Sequence, residues 1–140
     1  MNVKRRISSS RFLIISIGLV YVWFGALKFF PGVSHAEKLA QNTMDVLTLG
    51  LISPNVSIIL LALSETIIGV LLILNIYRHV VIRIALVHMI FTFVPLFLFP
   101  EQSFSDSPLV FTLLGQYIFK NIIIIGALLT LYKLPKSIRV

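Results

Sequence analysis

The feature that most constrains this chain is an apolar stretch from Leu51 to Ile76 that contains a single charged side chain, Glu65. A run of this length is typical of a membrane-spanning helix. Glu65 follows the helix-start residue Pro54 by about eleven positions, which is about 16 Å along a helix and near mid-bilayer. A carboxylate at that depth costs roughly 2.5–3.5 kcal/mol. The sequence therefore predicts that Glu65 faces the protein interior and has a partner there.

Composition places the whole chain in the membrane. Of its 140 residues, 58% are hydrophobic, whereas soluble domains are about 45–50% apolar. The net charge of +7 does not indicate nucleic-acid binding, because no basic face with interleaved aromatic side chains lies outside the apolar segments. The absence of cysteine excludes disulfides, thiolate catalysis, iron–sulfur clusters and cysteine-ligated zinc within this chain.

Start and stop signals predict four spans, at about 11–30, 54–76, 80–99 and 108–132. The first is a retained span and not a cleaved signal peptide, because it is long and no clean cleavage site follows it. Ser-Pro pairs begin the second and fourth spans, and Pro95 is expected to kink the third. The predicted fold is all-α: one polytopic membrane domain over residues 1–140, built as an antiparallel four-transmembrane-helix bundle.

A short amphipathic helix is predicted between the first two spans, at about 35–49. Ser34 and Glu37 form a capping-box pattern at its start, and Gly50 is a plausible C-cap. Such a helix lies either on the membrane surface or over the mouth of the bundle as a lid. The sequence leaves both placements open.

Basic residues predict the orientation. Nine of the twelve lysines and arginines fall on one side of the predicted spans: Lys4, Arg5, Arg6, Arg11, Arg78, Arg83, Lys133, Lys136 and Arg139. The positive-inside rule then places both termini in the cytoplasm and the chain in the cell (inner, cytoplasmic) membrane.

Polar residues in three spans are expected at one level. His88 and Lys120 each lie about twelve residues, or roughly 18 Å, from one side of the membrane. Glu65 lies about 16 Å from the same side. We expect Glu65 and Lys120 to form an ion pair with His88 nearby. Lys28, near the end of the first span, either extends to the interface or has a functional role. The full set of candidate ligand-binding or polar-layer residues is Lys28, Glu65, His88, Lys120, Asn121, Gln116, Trp23 and Tyr117.

Two interpretations of this layer remain open. In one, it only fixes the helix register; in the other, it forms a quinone pocket, another small-ligand pocket or a proton relay. No metal is expected, since one histidine with one carboxylate and no cysteine is a thin ligand set. No catalytic residue is assigned, because no nucleophile-elbow context accompanies Ser64 and His88.

Three short motifs resemble those of DoxX-like membrane proteins, including the YkgB-type branch. Gly25-Ala26-Leu27-Lys28-Phe29 resembles their G-x-x-K signature, Glu65-x-x-x-Gly69 their E-x-x-x-G, and Lys120-Asn121 with Gly126-Ala127-Leu128-Leu129 their third motif. The resemblance covers about residues 12–132. It implies a four-helix membrane protein and singles out Lys28, Glu65, Lys120 and Asn121. Some members are linked to oxidoreductase systems, among them an archaeal thiosulfate:quinone oxidoreductase, others to redox-stress resistance, and animal relatives to receptor assembly.

The resulting expectation is a quinone- or small-ligand-interacting subunit of a membrane redox system. The candidate cofactor is a non-covalently bound quinone, and no covalently bound cofactor is expected. The expected partners are the lipid bilayer and either an oxidoreductase subunit or a second copy of the chain, with no nucleic acid. The alternative is a non-catalytic assembly, chaperone or scaffold protein. A small proton-coupled transporter is less favoured, because four spans without an inverted repeat are few for alternating access. Whether the chain is an enzyme stays open.

Overall fold

The computed structural model describes residues 3–34, 36–105 and 110–134. These residues form eight helices and no strand beyond one isolated bridge between Phe104 and Phe111. The helices are α1 (Val3–Leu27), α2 (Glu37–Leu47), α3 (Pro54–Ile73), α4 (Arg78–Phe91), α5 (Val94–Leu98), α6 (Pro100–Ser103), α7 (Leu113–Phe119) and α8 (Asn121–Lys133).

Four segments are long and apolar enough to cross a membrane: Ser9–Leu27, Pro54–Ile73, Arg78–Leu98 and Leu113–Lys133. The first two are parts of α1 and α3. The third consists of α4 and α5, and the fourth of α7 and α8. The protein is therefore an all-α, multi-pass membrane protein with four spans, which confirms the predicted fold class.

Proline and its neighbours fix two of the helix boundaries as predicted. Pro54 is the first residue of α3, after Ser53 in extended conformation. The third span is interrupted between α4 and α5, three residues before Pro95. A proline has no N–H to give to the carbonyl four residues earlier, so the regular helix stops before it.

Two predicted helix starts are wrong. Glu37 does not complete a capping box with Ser34; its Oε2 accepts a hydrogen bond from the N–H of Gly32 at 2.7 Å, and α2 begins at Glu37 itself. The fourth span begins at Leu113, where the Thr112 hydroxyl accepts from the N–H of Gly115. The predicted start at Ser107 and Pro108 lies outside the described residues.

Glycines let α1 and α3 run antiparallel with their backbones in contact. A Cβ built on Gly18 would lie 2.8 Å from the carbonyl oxygen of Gly69, and one built on Gly69 would lie 2.6 Å from that of Gly18. Gly25 faces Ala62 and Thr66 in the same way. Small residues permit this close approach between membrane helices.

This pairing leaves the first turns of α3 beyond the end of α1, and α2 occupies the space. For each pair of facing positions, the residue number in α1 and the residue number in α3 add up to about 87–91. Lys28 therefore lies near the level of Ala62 of α3. The segment from Pro54 to that level contacts α2 instead, and α2 also contacts α5. Leu39 and Thr43 are the buried residues of α2. The amphipathic helix thus covers this end of the bundle, which we call the α2 end.

The opposite half of the bundle is solidly packed. Its core joins α1, α3, α4 and α8 and consists of Ile14, Ile17, Tyr21, Ile68, Leu72, Val81, Ile82, Ala85, Met89, Leu128 and Leu131. A smaller cluster of Leu39, Leu96 and Ile118 lies at the α2 end. Most of the stable packing therefore lies away from α2.

The glycine contact predicts an asymmetric response to alanine. Gly69→Ala should lower stability by roughly 1–3 kcal/mol, because the new methyl meets backbone atoms that cannot move aside. Gly126 on α8 has nothing within 4 Å of a built Cβ, so Gly126→Ala should leave stability unchanged or raise it. Thermal unfolding in detergent measures both. Equal responses of the two variants would contradict the α1–α3 contact.

Candidate functional site

A buried ion pair lies where α1 ends against α3. The Nζ of Lys28 is 2.5 Å from Oε2 of Glu65, and each side chain is only 9% exposed. The other carboxylate oxygen, Oε1, is 3.3 Å from Nε2 of His88. Both oxygens of Glu65 are thus occupied, by side chains from two other helices.

The helix geometry explains how Lys28 reaches this position. Lys28 follows the last residue of α1, and its ammonium turns back to donate to the carbonyl oxygen of Phe24 at 3.3 Å. Gly25, one turn earlier, brings α1 against Thr66. Glu65 precedes Thr66 and lies among the buried residues of α3. The close backbone contact therefore sets the distance that the ion pair spans.

Tyr21 extends the polar cluster into the packed half. Its hydroxyl lies 3.3 Å from Nδ1 of His88 and donates to the carbonyl oxygen of Ala85 at 3.0 Å. Because the Tyr21 hydroxyl has one proton, a neutral His88 protonated on Nε2, which donates to Glu65, accepts at Nδ1 from Tyr21 only when that proton turns from the Ala85 carbonyl to Nδ1. Tyr21, His88, Glu65 and Lys28 then form one continuous hydrogen-bonded series across α1, α3 and α4.

The predicted pair between Glu65 and Lys120 is wrong, because the partner of Glu65 is Lys28. Lys120 lies between α7 and α8, with its Nζ 4.1 Å from the ring centre of Tyr117 and 4.7 Å from that of Phe24. The depth of Lys120 was counted from Pro108, but the helix starts at Leu113, which puts Lys120 only about 10 Å into the span.

The predicted depth of Lys28 is also wrong, because it places Lys28 too close to the membrane surface. The prediction counted along the first span alone, in which Lys28 comes at the end. In the structure α3 continues past α1, so the end of α1 is at the level of Glu65. The alternative in which Lys28 extends to the interface is therefore excluded by its burial and its ion pair.

Of the remaining predicted residues, Asn121 and Tyr117 are half-buried and make contacts between helices, whereas Gln116 and Trp23 are exposed. Asn121 donates from Nδ2 to the Thr92 hydroxyl at 3.1 Å, which ties α8 to the break in the third span. Tyr117 packs edge-on against Phe24, with ring centres 5.4 Å apart. Gln116 is exposed and donates to the carbonyl of Phe111, and Trp23 is 65% exposed. Trp23 lies two positions after Tyr21, on the other side of α1.

A cavity of about 430 Å³ lies beside the ion pair. Lys28, Glu65 and His88 lie on its wall, Phe24, Tyr117 and Lys120 line it elsewhere, and the inner face of α2 covers it. Pockets for small molecules measure about 300–1,000 Å³ and combine apolar walls with a few polar groups. The arrangement is suited to an apolar molecule that carries one or two polar atoms.

The lining contributed by α2 decides between the two placements that the sequence leaves open. Leu39, Thr43 and Met44 line the cavity, and all three belong to the helix for which a surface position was one prediction. The spacing of Leu39 and Thr43 indicated a buried face, but no pattern in the chain showed what that face packs against. Sequence reasoning missed Tyr21, since an aromatic residue in a span is usually packing.

The histidine and the carboxylate do not make a metal site on their own. In the part of the chain that the structure describes, no third histidine or acidic side chain joins His88 and Glu65.

Comparisons of the chain with protein-family models, with curated proteins and with solved structures give no match.

A double-mutant cycle separates the observed pair from the predicted one. Lys28→Met and Glu65→Gln should each lower stability by roughly 3–5 kcal/mol, because each leaves a buried group without its partner. Together they should cost much less than their sum. Lys120→Met serves as the matched control: combined with Glu65→Gln, its effect should add within about 0.5 kcal/mol.

Thermal unfolding in one detergent measures the three single variants, the two double variants and the parent. Strong coupling of Glu65 to Lys120, or additivity between Lys28 and Glu65, would contradict the geometry described here.

Proposed function

We propose that this protein is a DoxX-like membrane subunit that binds a small, mostly apolar molecule, a quinone in the first place, for a membrane redox system. The observation that carries the proposal is the cavity of about 430 Å³ with one charged wall and otherwise mainly apolar and aromatic lining. The proposed cofactor is held without a covalent bond.

The polar wall has the donors that a carbonyl-bearing ligand requires. The ammonium of Lys28 has three N–H groups, of which Glu65 and the Phe24 carbonyl take two. The third remains for a molecule in the cavity. A bound quinone would supply two-electron, two-proton redox chemistry. Lys28 and His88 are the chain's own proton-bearing groups that would lie beside it, and Glu65 is the carboxylate that would accept a proton.

The apolar part of the cavity fits the body of such a molecule. Phe24 and Tyr117 provide aromatic surface, and Leu39, Met44 and Leu47 of α2 provide flexible apolar surface. Aromatic and methionine side chains adapt to flat rings. The chain has no cofactor motif of its own, so electrons would come from a partner oxidoreductase or another bound molecule.

The proposed location is the cytoplasmic membrane, with both termini on the cytoplasmic side. Nine of the twelve basic residues support this orientation by the positive-inside rule. The α2 end of the bundle then faces away from the cytoplasm, and a ligand would reach the cavity from the outer half of the bilayer.

Filling part of the cavity should weaken quinone binding. Ala40 lines the cavity from α2, and Ala40→Phe should weaken binding of a short-chain ubiquinone or menaquinone analogue about tenfold or more, since the added ring takes the ligand's volume. Ile123→Phe is the control, because Ile123 is 73% exposed on α8. Equilibrium dialysis in detergent gives the Kd, and organic extraction of the purified protein reports co-purified quinone.

Two results would contradict the quinone proposal. One is a parent protein that neither contains extractable quinone nor binds the analogues. The other is equal binding by Ala40→Phe and Ile123→Phe, which would put the ligand on the lipid-facing surface.

The orientation has its own test, which the absence of cysteine makes clean. Val33→Cys introduces a thiol after α1, and Ile76→Cys introduces one between α3 and α4; both positions are exposed. A membrane-impermeant maleimide should label Val33→Cys in intact spheroplasts, and Ile76→Cys only after permeabilisation. The reverse pattern would invert the proposed topology.

A further inference from the structure

Among the described residues, Lys120 is a cation on the cavity without a matching anion. The side chain is exposed and lines the cavity, and its Nζ lies over the rings of Tyr117 and Phe24. Across residues 3–34, 36–105 and 110–134, no acidic side chain forms an ion pair with it. The acids that the structure describes are Glu37, which binds the N–H of Gly32, Glu65, which binds Lys28, and the two exposed residues Asp45 and Glu101.

The charges around the cavity do not balance. Lys28 and Lys120 contribute two positive charges and Glu65 one negative charge, so the described lining carries +1 with His88 neutral. A charge in apolar surroundings is unfavourable unless another charge or several hydrogen bonds compensate it. Aromatic faces attract a cation but do not neutralise it.

Phe24 contacts both lysines and keeps their environments distinct. Its carbonyl oxygen accepts from Lys28, and its ring faces Lys120. Lys28 is neutralised at that position by Glu65, whereas Lys120 has only the two rings. The cavity therefore has one polar wall that is internally compensated and one cation that is available to a ligand.

We propose that Lys120 binds the anionic oxygen of an amphiphilic ligand whose apolar body lies in the cavity. The ligand class is an apolar molecule with a single negative charge, such as the enolate of an acidic hydroxyquinone or the carboxylate of a fatty acid. This inference rests on the proposed function in that it takes the cavity to be a ligand site, and it adds the charge and the residue that selects it.

Matched ligand pairs test the selection. One pair is a 2-hydroxy-3-alkyl-1,4-naphthoquinone, ionised at pH 7, and the corresponding 2-alkyl-1,4-naphthoquinone, which is neutral. The second pair is dodecanoate and dodecanol. Equilibrium dialysis in detergent gives Kd values for the parent chain, Lys120→Gln, Lys120→Arg and Lys133→Gln. Lys133, at the other end of the same span, controls for overall charge.

The parent should bind the anionic member of at least one pair about tenfold more tightly, which corresponds to one charge-assisted hydrogen bond. Lys120→Gln should remove that preference while neutral binding stays unchanged, and Lys120→Arg and Lys133→Gln should keep it. Preference in the naphthoquinone pair assigns an acidic quinone, and preference in the dodecanoate pair alone assigns a fatty acid.

The inference is overturned if the parent shows no anion preference in either pair, or if Lys120→Gln keeps the preference. The neutral naphthoquinone distinguishes this failure from failure of the proposed function. If it binds without any anion preference, the cavity is a quinone site and only the role of Lys120 is wrong. If neither quinone binds, the quinone proposal is wrong whatever the fatty-acid pair does.

Discussion

The carboxylate of Glu65 determines where three helices can lie. A buried charge requires close partners in good geometry, and Glu65 has two, Lys28 from α1 and His88 from α4. Lys28 comes within reach because Gly18, Gly25 and Gly69 let the α1 and α3 backbones touch. The ion pair and the glycine contact therefore depend on each other: a wider helix separation would leave the carboxylate without Lys28.

The same geometry produces a bundle with a packed core in one half and a cavity in the other. Ending at Leu27, α1 leaves the first turns of α3 to α2. The third and fourth spans are each interrupted, after Phe91 and at Lys120. These irregularities fall around the cavity, whereas the packed core lies on the uninterrupted parts of α1, α3, α4 and α8. Breaks in membrane helices are tolerated where they line a cavity.

Sequence alone predicted the number of spans, the break before Pro95 and the burial of Glu65, because hydropathy, proline chemistry and the cost of a buried charge are local properties. It chose the wrong partner for Glu65, because depth was counted from helix starts that the chain does not use. Lys120 was counted from Pro108 rather than Leu113, and Lys28 from the end of α1 without regard to α3. The sequence left the placement of α2 open between the membrane surface and the mouth of the bundle, since an amphipathic pattern gives a buried face but not the surface it meets.

A purely structural role for the polar cluster explains only part of what the chain carries. Fixing the register of α1, α3 and α4 needs Glu65, Lys28 and His88, and those three already satisfy one another. Register does not need a second lysine facing two aromatic rings, nor a cavity of about 430 Å³ beside it. The proposed apolar ligand with a negative charge would use the cavity and the second lysine at once. The combination of cavity and cation is therefore what favours a ligand, with the buried ion pair as the scaffold that holds the walls in place.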